Sequence, residues 1–405
     1  MSDYPALVDA LVRPRLAALT ASDAEAKAQL TSELVGSSEA FQRCLPEISH
    51  GFLVSRIGTQ GSWVWSVGNA HHRSFATLAV GRPEPDGTVT VGFDVADGEE
   101  EHPAPWRWDV LTLLASVALV KPGQKGSAFA ALMNRTLDGY VAALQSAQEV
   151  PTEPGDLPAA LVAMMQRSSG PVGAESHLSS HVLVDPDQKE PRLRTGSGLS
   201  RDLSARAFFL PALTALYDDV SRITVLDVVR RDQLGGPSSG RRGWLGVIRE
   251  RSQMRSERLR LLDIRERPPS ALARVLLATP FPPLAGPASR LSVTLGGDPY
   301  QRLLHGPGST YMVRSFCHCR QTPDIGDLDE ADLLRLARAW GHLLAGFHLR
   351  GLRGLRVDAT VRAREIAAEA AEARKDLARQ AWELAAHLDR AHLAFRKLAK
   401  DAPSA

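Results

Sequence analysis

The last part of the chain places the strongest constraint on its fold. Residues 358–400 contain neither glycine nor proline, the two residues that most often interrupt a helix. At 1.5 Å per residue, an unbroken helix of this length spans roughly 65 Å. Apolar residues recur within it at alternating spacings of four and three, at Leu377, Ala381, Leu384, Leu388, Ala391, Phe395 and Leu398. This spacing is typical of a packing seam, which docks on the rest of the chain or on a second chain; internal docking is the favoured alternative.

Composition and charge narrow the class of protein. The 405 residues are 44% hydrophobic and 23% charged, which is ordinary for a globular protein and is enough chain for two or three lobes. The first residues have no basic stretch ahead of an apolar core, and the longest apolar run, residues 110–120, is too short to cross a bilayer. We therefore expect a cytoplasmic protein with no membrane association. The net charge of +2 makes nucleic acid an unexpected partner.

The cysteines indicate neither a disulfide framework nor a metal centre. Cys44, Cys317 and Cys319 form no even set, and disulfides are uncommon in reducing compartments. The segment "CHC" at 317–319 places its side chains too close together for the usual zinc spacing.

The order of periodic segments predicts an α+β protein in four parts. Residues 1–150 contain helices and the short strands "WVWSV", "FATLAV" and "TVTVGFDV", which form a small antiparallel sheet. Residues 151–200 are rich in Pro, Gly and Ser and are interpreted as a loop-rich linker. Residues 201–325 hold a Gly-rich turn and a hairpin made of "GWLGVIRE" and "RLRLLDIRE". Residues 326–405 form the C-terminal helices.

Polar chemistry is concentrated in a few short segments. The first is "GNAHHRSF", residues 68–75, which connects two of the predicted strands. The second is "FDVADGEEEHPAPWRWD", residues 93–109. Further on, "LGGPSSG" at 234–240 precedes the basic strand in "LLDIRERPPSAL" at 261–272. Because glycine lets backbone amides approach an anion closely, the Gly-rich segment is a candidate phosphate cradle.

Taken in chain order, these segments resemble the bacterial domain of unknown function 2252 family, which is grouped with the protein-kinase-like fold. The resemblance covers most of the chain and includes three further blocks, "SSEAFQRC", "TYMVRSF" and "LARAWGHLLAGFHLRG". The family's Gly-Asp-x-His-x-x-Asn-Phe loop corresponds to "GNAHHRSF". In ordinary kinases the Gly-rich loop and the lysine strand precede the catalytic loop, whereas here they follow it. The resemblance therefore implies a two-lobed kinase-like fold with permuted lobe order.

The resemblance also implies a role for each site residue in phosphoryl transfer, with ATP and Mg²⁺ as cofactors. Asn69 stands at the catalytic base and His71 beside it in the loop. Ser74 and Asp97 stand at the metal ligands, and Arg265 stands at the phosphate-binding lysine. The Gly-rich turn would contact phosphates through Gly235, Gly236, Ser238, Ser239 and Gly240.

Several of these positions depart from the family pattern. Asn69 replaces an Asp, and an amide cannot accept a proton at useful pH. Ser74 replaces an Asn and has a shorter reach, while Arg265 replaces a compact ammonium with a planar fork. Pro237 removes one backbone amide from the Gly-rich turn. These departures predict a degenerate, pseudokinase-like binding or regulatory module that binds nucleotide weakly and transfers little or no phosphate.

Two other functions stay open. The chain could be an active phosphotransferase in which Asp97 works with Glu99 or Glu100 as a substitute base, although a run of three Glu is more typical of a solvated face. Alternatively, it could be an interaction protein without nucleotide, assembled through the C-terminal helix on an unknown protein partner.

Overall fold

The computed structural model describes most of the chain. The described residues are 3–17, 24–80, 88–98, 100–121, 126–147, 154–184, 190–196, 198–217, 223–232, 241–251, 257–276, 298, 300–306, 309–354 and 357–401. The helices are α1 (Tyr4–Ala17), α2 (Ala24–Gly36), α3 (Ser38–Cys44), α4 (Pro46–Phe52), α5 (Trp106–Val120), α6 (Ser127–Ser146), α7 (Ala159–Ser169), α8 (Pro171–His181), α9 (Leu203–Leu216), α10 (Ala271–Val275), α11 (Glu330–Gly354), α12 (Ala359–Glu372) and α13 (Arg374–Asp401). The strands are β1 (Trp63–Ser66), β2 (Phe75–Val80), β3 (Thr90–Val95), β4 (His102–Pro105), β5 (Val182–Leu183), β6 (Arg192–Leu193), β7 (Leu199–Ser200), β8 (Ile223–Arg231), β9 (Gly243–Arg251), β10 (Glu257–Arg267), β11 (Arg302–Gly306) and β12 (Ser309–Ser315). The chain is therefore of mixed α+β class, as the sequence predicts.

A helical body surrounds the largest apolar core. This core joins residues of α1–α6 to residues of α11–α13, so the two ends of the chain share one interior. Helix α5 lies at its centre because nearly every residue of "WRWDVLTLLASVALV" is buried. Helices α6 and α11 approach so closely that a Cβ on Gly139 would lie 2.0 Å from the carbonyl oxygen of Arg338, and one on Gly341 would lie 1.8 Å from that of Thr136. The facing glycines therefore allow this helix pair to form.

The C-terminal seam docks internally, as the favoured alternative predicts. Leu384 and Leu388 are fully buried and Phe395 is 5% exposed, and α13 packs on α1, α2 and α5. The helix is not continuous, however. It is interrupted at Ala373, which ends α12 before α13 begins.

Short strand pairs complete the helical body. Strand β1 pairs with β4, and β2 pairs with β3, both antiparallel. The sequence predicts a single small sheet from β1, β2 and β3, whereas the structure places β1 and β2 in separate pairs. The loop between β1 and β2 thus connects two strand pairs.

A six-stranded antiparallel sheet forms the second part of the molecule, in the order β11-β12-β10-β9-β8-β7. The predicted hairpin is confirmed, because β9 and β10 pair along their length from Gly243↔Arg265 to Arg251↔Glu257. One face of the sheet packs on α9 through residues such as Phe209. The opposite face packs on Leu178 and Leu193.

The segment interpreted as a linker has regular structure. The composition of residues 151–200 predicts loops, but α7, α8 and the β5–β6 pair lie there. Apolar residues of α8 and β6 cover one face of the large sheet, and α7 packs on β3. The Pro, Gly and Ser residues in this segment separate these elements and start α8, so the composition marked boundaries between short elements.

Cys317 and Cys319 differ from the sequence expectation. They are joined as a disulfide with their Cα atoms 5.3 Å apart, while Cys44 is free and buried. The turn after β12 brings the two side chains together despite their separation of two residues, within the Cα distance that disulfides span. Among the described residues, no helix combines the length and the apolarity that crossing a membrane requires.

Candidate phosphate-ligand site

The loop after β1 depends on the backbone conformation of Gly68. This residue has a φ of +87°, a backbone conformation that residues with a Cβ rarely adopt. A Cβ at Gly68 would also lie 1.9 Å from the carbonyl oxygen of Glu100. Glycine at this position therefore lets the loop turn and pack directly on the segment that follows β3.

Asp109, in the first turn of α5, holds the start of the loop. Its carboxylate accepts hydrogen bonds from the hydroxyl of Ser66 at 2.9 Å and from the backbone amides of Val67 at 2.8 Å and Gly68 at 3.2 Å. The side chain is 1% exposed, so each of these bonds replaces water that burial removes. Asp109 thereby sets where the loop begins.

His348 connects this carboxylate to the interior of the helical body. Its Nε2 lies 2.9 Å from Asp109 Oδ2, and its Nδ1 lies 2.7 Å from the hydroxyl of Tyr140. Because Nε2 faces a carboxylate, it donates, and Nδ1 then accepts from the hydroxyl. Burial raises the pKa of Tyr140 well above its usual range, which keeps the hydroxyl protonated for this role.

Asn69, at the predicted base position, lies over a small pocket. The side chain is 7% exposed, and its Nδ2 donates to the carbonyl oxygen of Arg43 at 3.4 Å. Its Oδ1 is buried and makes no hydrogen bond with the part of the chain that the structure describes. The pocket is also lined by Arg43, His71, Asp97 and Arg241, and it has room for about one water molecule. Asn69 Oδ1 can therefore accept a hydrogen bond from a water or a hydroxyl there.

His71 lies between the two predicted metal ligands. Its Nδ1 is 3.1 Å from Ser74 Oγ, and its Nε2 is 3.8 Å from Asp97 Oδ2. Burial, followed by the charges of Arg43 and Arg73, lowers the pKa of His71 well below its usual range. The imidazole is consequently neutral, and its contact with Asp97 is polar rather than an ion pair.

The two predicted metal ligands contact opposite nitrogens of the His71 ring. Ser74 Oγ also accepts a hydrogen bond from the backbone amide of His71 at 3.1 Å, so the hydroxyl closes the turn of the loop. Asp97 lies on the other side of the imidazole ring. Across the described residues there is no group of three or more His, Cys, Asp or Glu side chains that could hold a metal ion. The assignment of Ser74 and Asp97 to Mg²⁺ stays a prediction from the resemblance.

Of the glutamates after Asp97, Glu100 and Glu101 face the protein and not solvent. Glu100 accepts the backbone amide of Ala271 at 2.6 Å and lies 3.3 Å from Arg241. Glu101 is 7% exposed and accepts the indole N–H of Trp65 at 2.6 Å. These carboxylates hold α10 and β1, which are elements that the sequence places far apart. Glu99 lies outside the described residues.

The predicted phosphate cradle lies outside the described residues, namely Gly235, Gly236, Ser238, Ser239 and Gly240. The strands on either side of it are described. Arg231, at the end of β8, pairs with Gly243, and Gly243 pairs with Arg265. Arg231 and Gly243 therefore lie in one row with Arg265, the predicted phosphate-binding residue.

Arg320 lies between Asp97 and the arginines of the sheet. Its guanidinium donates to the carbonyl oxygen of Ala96 at 2.6 Å. Burial and then the charge of Arg314 lower the pKa of Arg320 to about 9, while Asp97 acts in the opposite direction and Arg265 lowers it further. Both Asp97 and Arg265 therefore act on the charge of Arg320, a residue that no sequence motif had marked as part of the site.

Comparison with known families agrees with the resemblance. A family described as "Uncharacterized protein conserved in bacteria (DUF2252)" matches residues 33–169 and 210–398, which is most of the chain. The chain belongs to the DUF2252 family. None of the curated proteins and none of the solved structures compared with it matches.

The DUF2252 blocks meet in space at the residues that sequence reasoning passed over. Asp109 ends the "PWRWD" block, and His348 is the second histidine of the "LARAWGHLLAGFHLRG" helix. Both contact each other beside Gly68 of the loop block. A signal was available in the sequence, because each is a polar residue within a family block on a largely apolar helix. A buried polar side chain needs a hydrogen-bond partner.

Proposed function

We propose that this DUF2252 protein is a degenerate kinase-like module that binds a nucleotide weakly and transfers little or no phosphate. The observation that carries the proposal is the position of Asn69. Its amide lies in the loop where the resemblance places the base, with Oδ1 buried over the small pocket. An amide oxygen can accept a hydrogen bond but cannot take a proton from an acceptor hydroxyl. Loss of a general base costs about 10²- to 10⁴-fold in rate.

The pocket has room for about one water molecule, so a phosphate-bearing ligand would contact its two guanidiniums from outside. Arg43 and Arg241 line the pocket, and Arg43 Nε is buried without a hydrogen-bond acceptor among the described residues. Guanidinium groups are suited to phosphate because they donate in a planar fork. The two-lobed arrangement and the permuted motif order belong to the same proposal, with the loop on one side of Arg320 and Arg265 on the other.

The alternatives receive less support from the geometry. An active phosphotransferase would need a substitute base. The carboxylate of Glu100 already accepts a hydrogen bond from the backbone amide of Ala271 and forms an ion pair with Arg241. An interaction protein assembled through the C-terminal helix would need an available seam, and the seam residues Leu384, Leu388 and Phe395 are buried within the chain.

The test compares nucleotide binding with turnover. ATP is titrated calorimetrically into the wild type with and without Mg²⁺, and hydrolysis is followed under single-turnover conditions. We expect weak binding, a small effect of Mg²⁺ and hydrolysis at background. Asn69→Asp restores a carboxylate at the base position, and we expect hydrolysis to rise above background by up to about 10²-fold. Asn69→Ala is the matched control and should stay at background.

Two results would overturn the proposal. The first is robust wild-type hydrolysis that persists in Asn69→Ala, because the loop would then not be the site of an impaired base. The second is the absence of ATP binding in wild type and in Asn69→Asp alike, which would leave no nucleotide to act on.

A further inference from the structure

Four arginines converge on one end of a single face of the large sheet. Arg231 on β8 and Arg314 on β12 lie 2.8 and 3.1 Å from the carboxylate of Asp263 on β10, and Arg265 lies 2.8 Å from it. Arg320 follows β12 and donates to the carbonyl oxygen of Ala96 at 2.6 Å, close enough for its charge to interact with Arg265, Arg314 and Asp263.

The strand register explains why these side chains meet. Asp263 is directly opposite Arg314 across the β10–β12 pair. Arg231, Gly243 and Arg265 form the next row across three strands, and directly opposite residues share a face. Gly243 contributes no side chain between the two arginines. Arg231 can therefore extend over Gly243 to Asp263, and a gap about two strand spacings wide, roughly 10 Å, separates the backbones of Arg231 and Arg265.

Among the described side chains of this group, guanidiniums outnumber carboxylates. Four guanidiniums act on one another and on two carboxylates, those of Asp263 and Asp97. Burial opposes the ionisation of Asp263, but the surrounding arginines outweigh it and hold the pKa of that carboxyl well below its usual range. Burial, aided by Arg265 and Arg314, lowers the pKa of Arg231. Crowding like charges away from water is unfavourable, and a bound anion would relieve it.

The exposure of the cluster shows that an anion in solution can reach it. The side chains of Arg231 and Arg265 are 21% and 22% exposed, so the group is open to solvent at this edge. The apolar continuation of the same face, which includes Leu245 and Val247, is covered by Leu178 and Leu193. At this edge the oxygens of a phosphate group would meet several guanidinium donors, and Arg231 also lies 5.1 Å from the ring centroid of the partly buried Phe316.

We infer that Arg231, Arg265, Arg314 and Arg320 form a binding site for a compact polyphosphate anion, which they hold without a divalent metal. This inference rests on the proposed function, since it names the part of the ligand that the site recognises. The guanidiniums supply the positive charge that Mg²⁺ supplies in a phosphotransferase. Asp97 acts here as a counter-ion of Arg320 and not as a metal ligand.

The experiment uses the full chain and sodium tripolyphosphate as the probe, in EDTA. Titration calorimetry should show saturable binding to the wild type that weakens as NaCl is raised, because salt screens charge pairs. Arg231→Gln and Arg265→Gln should each weaken the affinity by about ten-fold or more, since each removes a charge-assisted contact. Arg265→Lys keeps the charge and should lose less than Arg265→Gln.

The matched control is Arg249→Gln. Arg249 lies on β9 with its side chain 21% exposed, and it pairs with Glu257 at the opposite end of the sheet. Its replacement should leave tripolyphosphate affinity unchanged. Circular dichroism of every variant identifies any that fails to fold, and Asp97→Asn provides an independent measurement with the opposite sign. Removing that negative charge should strengthen tripolyphosphate binding several-fold, whereas a metal-ligand role for Asp97 predicts no gain.

The outcomes separate this inference from the proposed function. Binding of tripolyphosphate but not of ATP supports the site and overturns nucleotide binding. Binding of ATP with Mg²⁺ but not of tripolyphosphate in EDTA overturns the site and leaves the proposed function standing. Absence of both overturns both. Equal losses in Arg249→Gln and Arg265→Gln overturn the site, because attraction would then come from the net charge of the sheet.

Discussion

His71 Nε2 lies 3.8 Å from Asp97 Oδ2, with the imidazole buried and neutral. The contact connects the loop after β1 to the segment after β3. On the other side of the ring, Ser74 Oγ lies 3.1 Å from Nδ1. One histidine thereby lies between the two positions that the family resemblance assigns to a metal, and hydrogen bonds within the loop add to those that Asp109 makes.

Ser74→Ala should destabilise this loop. The hydroxyl accepts a hydrogen bond from the backbone amide of His71 and contacts the His71 ring. Both side chains are buried. We expect a loss of about 1–3 kcal/mol in the free energy of unfolding, measured by urea denaturation. Ser55→Ala is the control, because that exposed hydroxyl bonds only carbonyl oxygens of its own helix, and its change should stay within about 0.5 kcal/mol. Equal losses in the two variants would show that Ser74 does not support the loop.

Asp109→Asn should be strongly destabilising. The carboxylate accepts hydrogen bonds from the backbone amides of Val67 and Gly68 and from His348. In the variant, the amide NH₂ group, itself a donor, would face one or more of these donors. We expect a loss of about 3 kcal/mol or more in the free energy of unfolding. Asp138→Asn breaks the Arg374–Asp138 pair, in which the carboxylate is 45% exposed, and should cost less than about 1 kcal/mol. A loss below 1 kcal/mol in Asp109→Asn would mean that the loop is held by other contacts.

Gly68→Ala should cost more than Gly126→Ala. Both glycines have positive φ, at +87° and +58°, so backbone strain of about 1–3 kcal/mol is common to the two variants. Only at Gly68 would the added Cβ also collide with the backbone of Glu100. Thermal unfolding and hydrogen exchange of the amides around residue 69 measure the difference, and equal shifts in melting temperature would contradict the close approach.

Stability should fall as the pH is lowered from 6.5 to 4. Burial lowers the pKa of His50 from its usual 6.5 to about 4, so the unfolded chain binds a proton in this window that the folded chain does not. For His50 the loss approaches about 3 kcal/mol at the lower limit and then levels off. In His50→Gln this part of the pH dependence should disappear, whereas the exposed His305→Gln should retain it. Identical urea-unfolding profiles for wild type and His50→Gln between pH 7 and 4.5 would contradict the assignment.

Leu388→Ala should destabilise the monomer. Leu388 is fully buried in the seam of α13, and truncation of such a side chain costs about 2–5 kcal/mol. Leu393→Ala, on the same helix but 47% exposed, should change the free energy of unfolding by less than about 0.5 kcal/mol. A change in self-association measured by sedimentation, with stability unaltered, would indicate instead that the seam belongs to a second chain.

Local patterns in the sequence determined the features that depend on neighbours along the chain. The spacing from Leu377 to Leu398 determined which side of α13 is buried, because helical periodicity needs no information about the partner surface. The two neighbouring apolar segments "GWLGVIRE" and "RLRLLDIRE" likewise predicted the β9–β10 hairpin. The motif blocks also identified the family that the profile match supports.

Tertiary structure decided how those elements were used. Composition predicted a linker where α7 and α8 lie, because short elements separated by Pro and Gly have no long periodic signal. The partners of Asp109 and Glu100 also could not be read locally, since they come from residues 239 and 171 positions further along the chain. Whether an acidic residue faces solvent or caps a distant helix depends on which elements pack beside it, and only the folded chain contains that information.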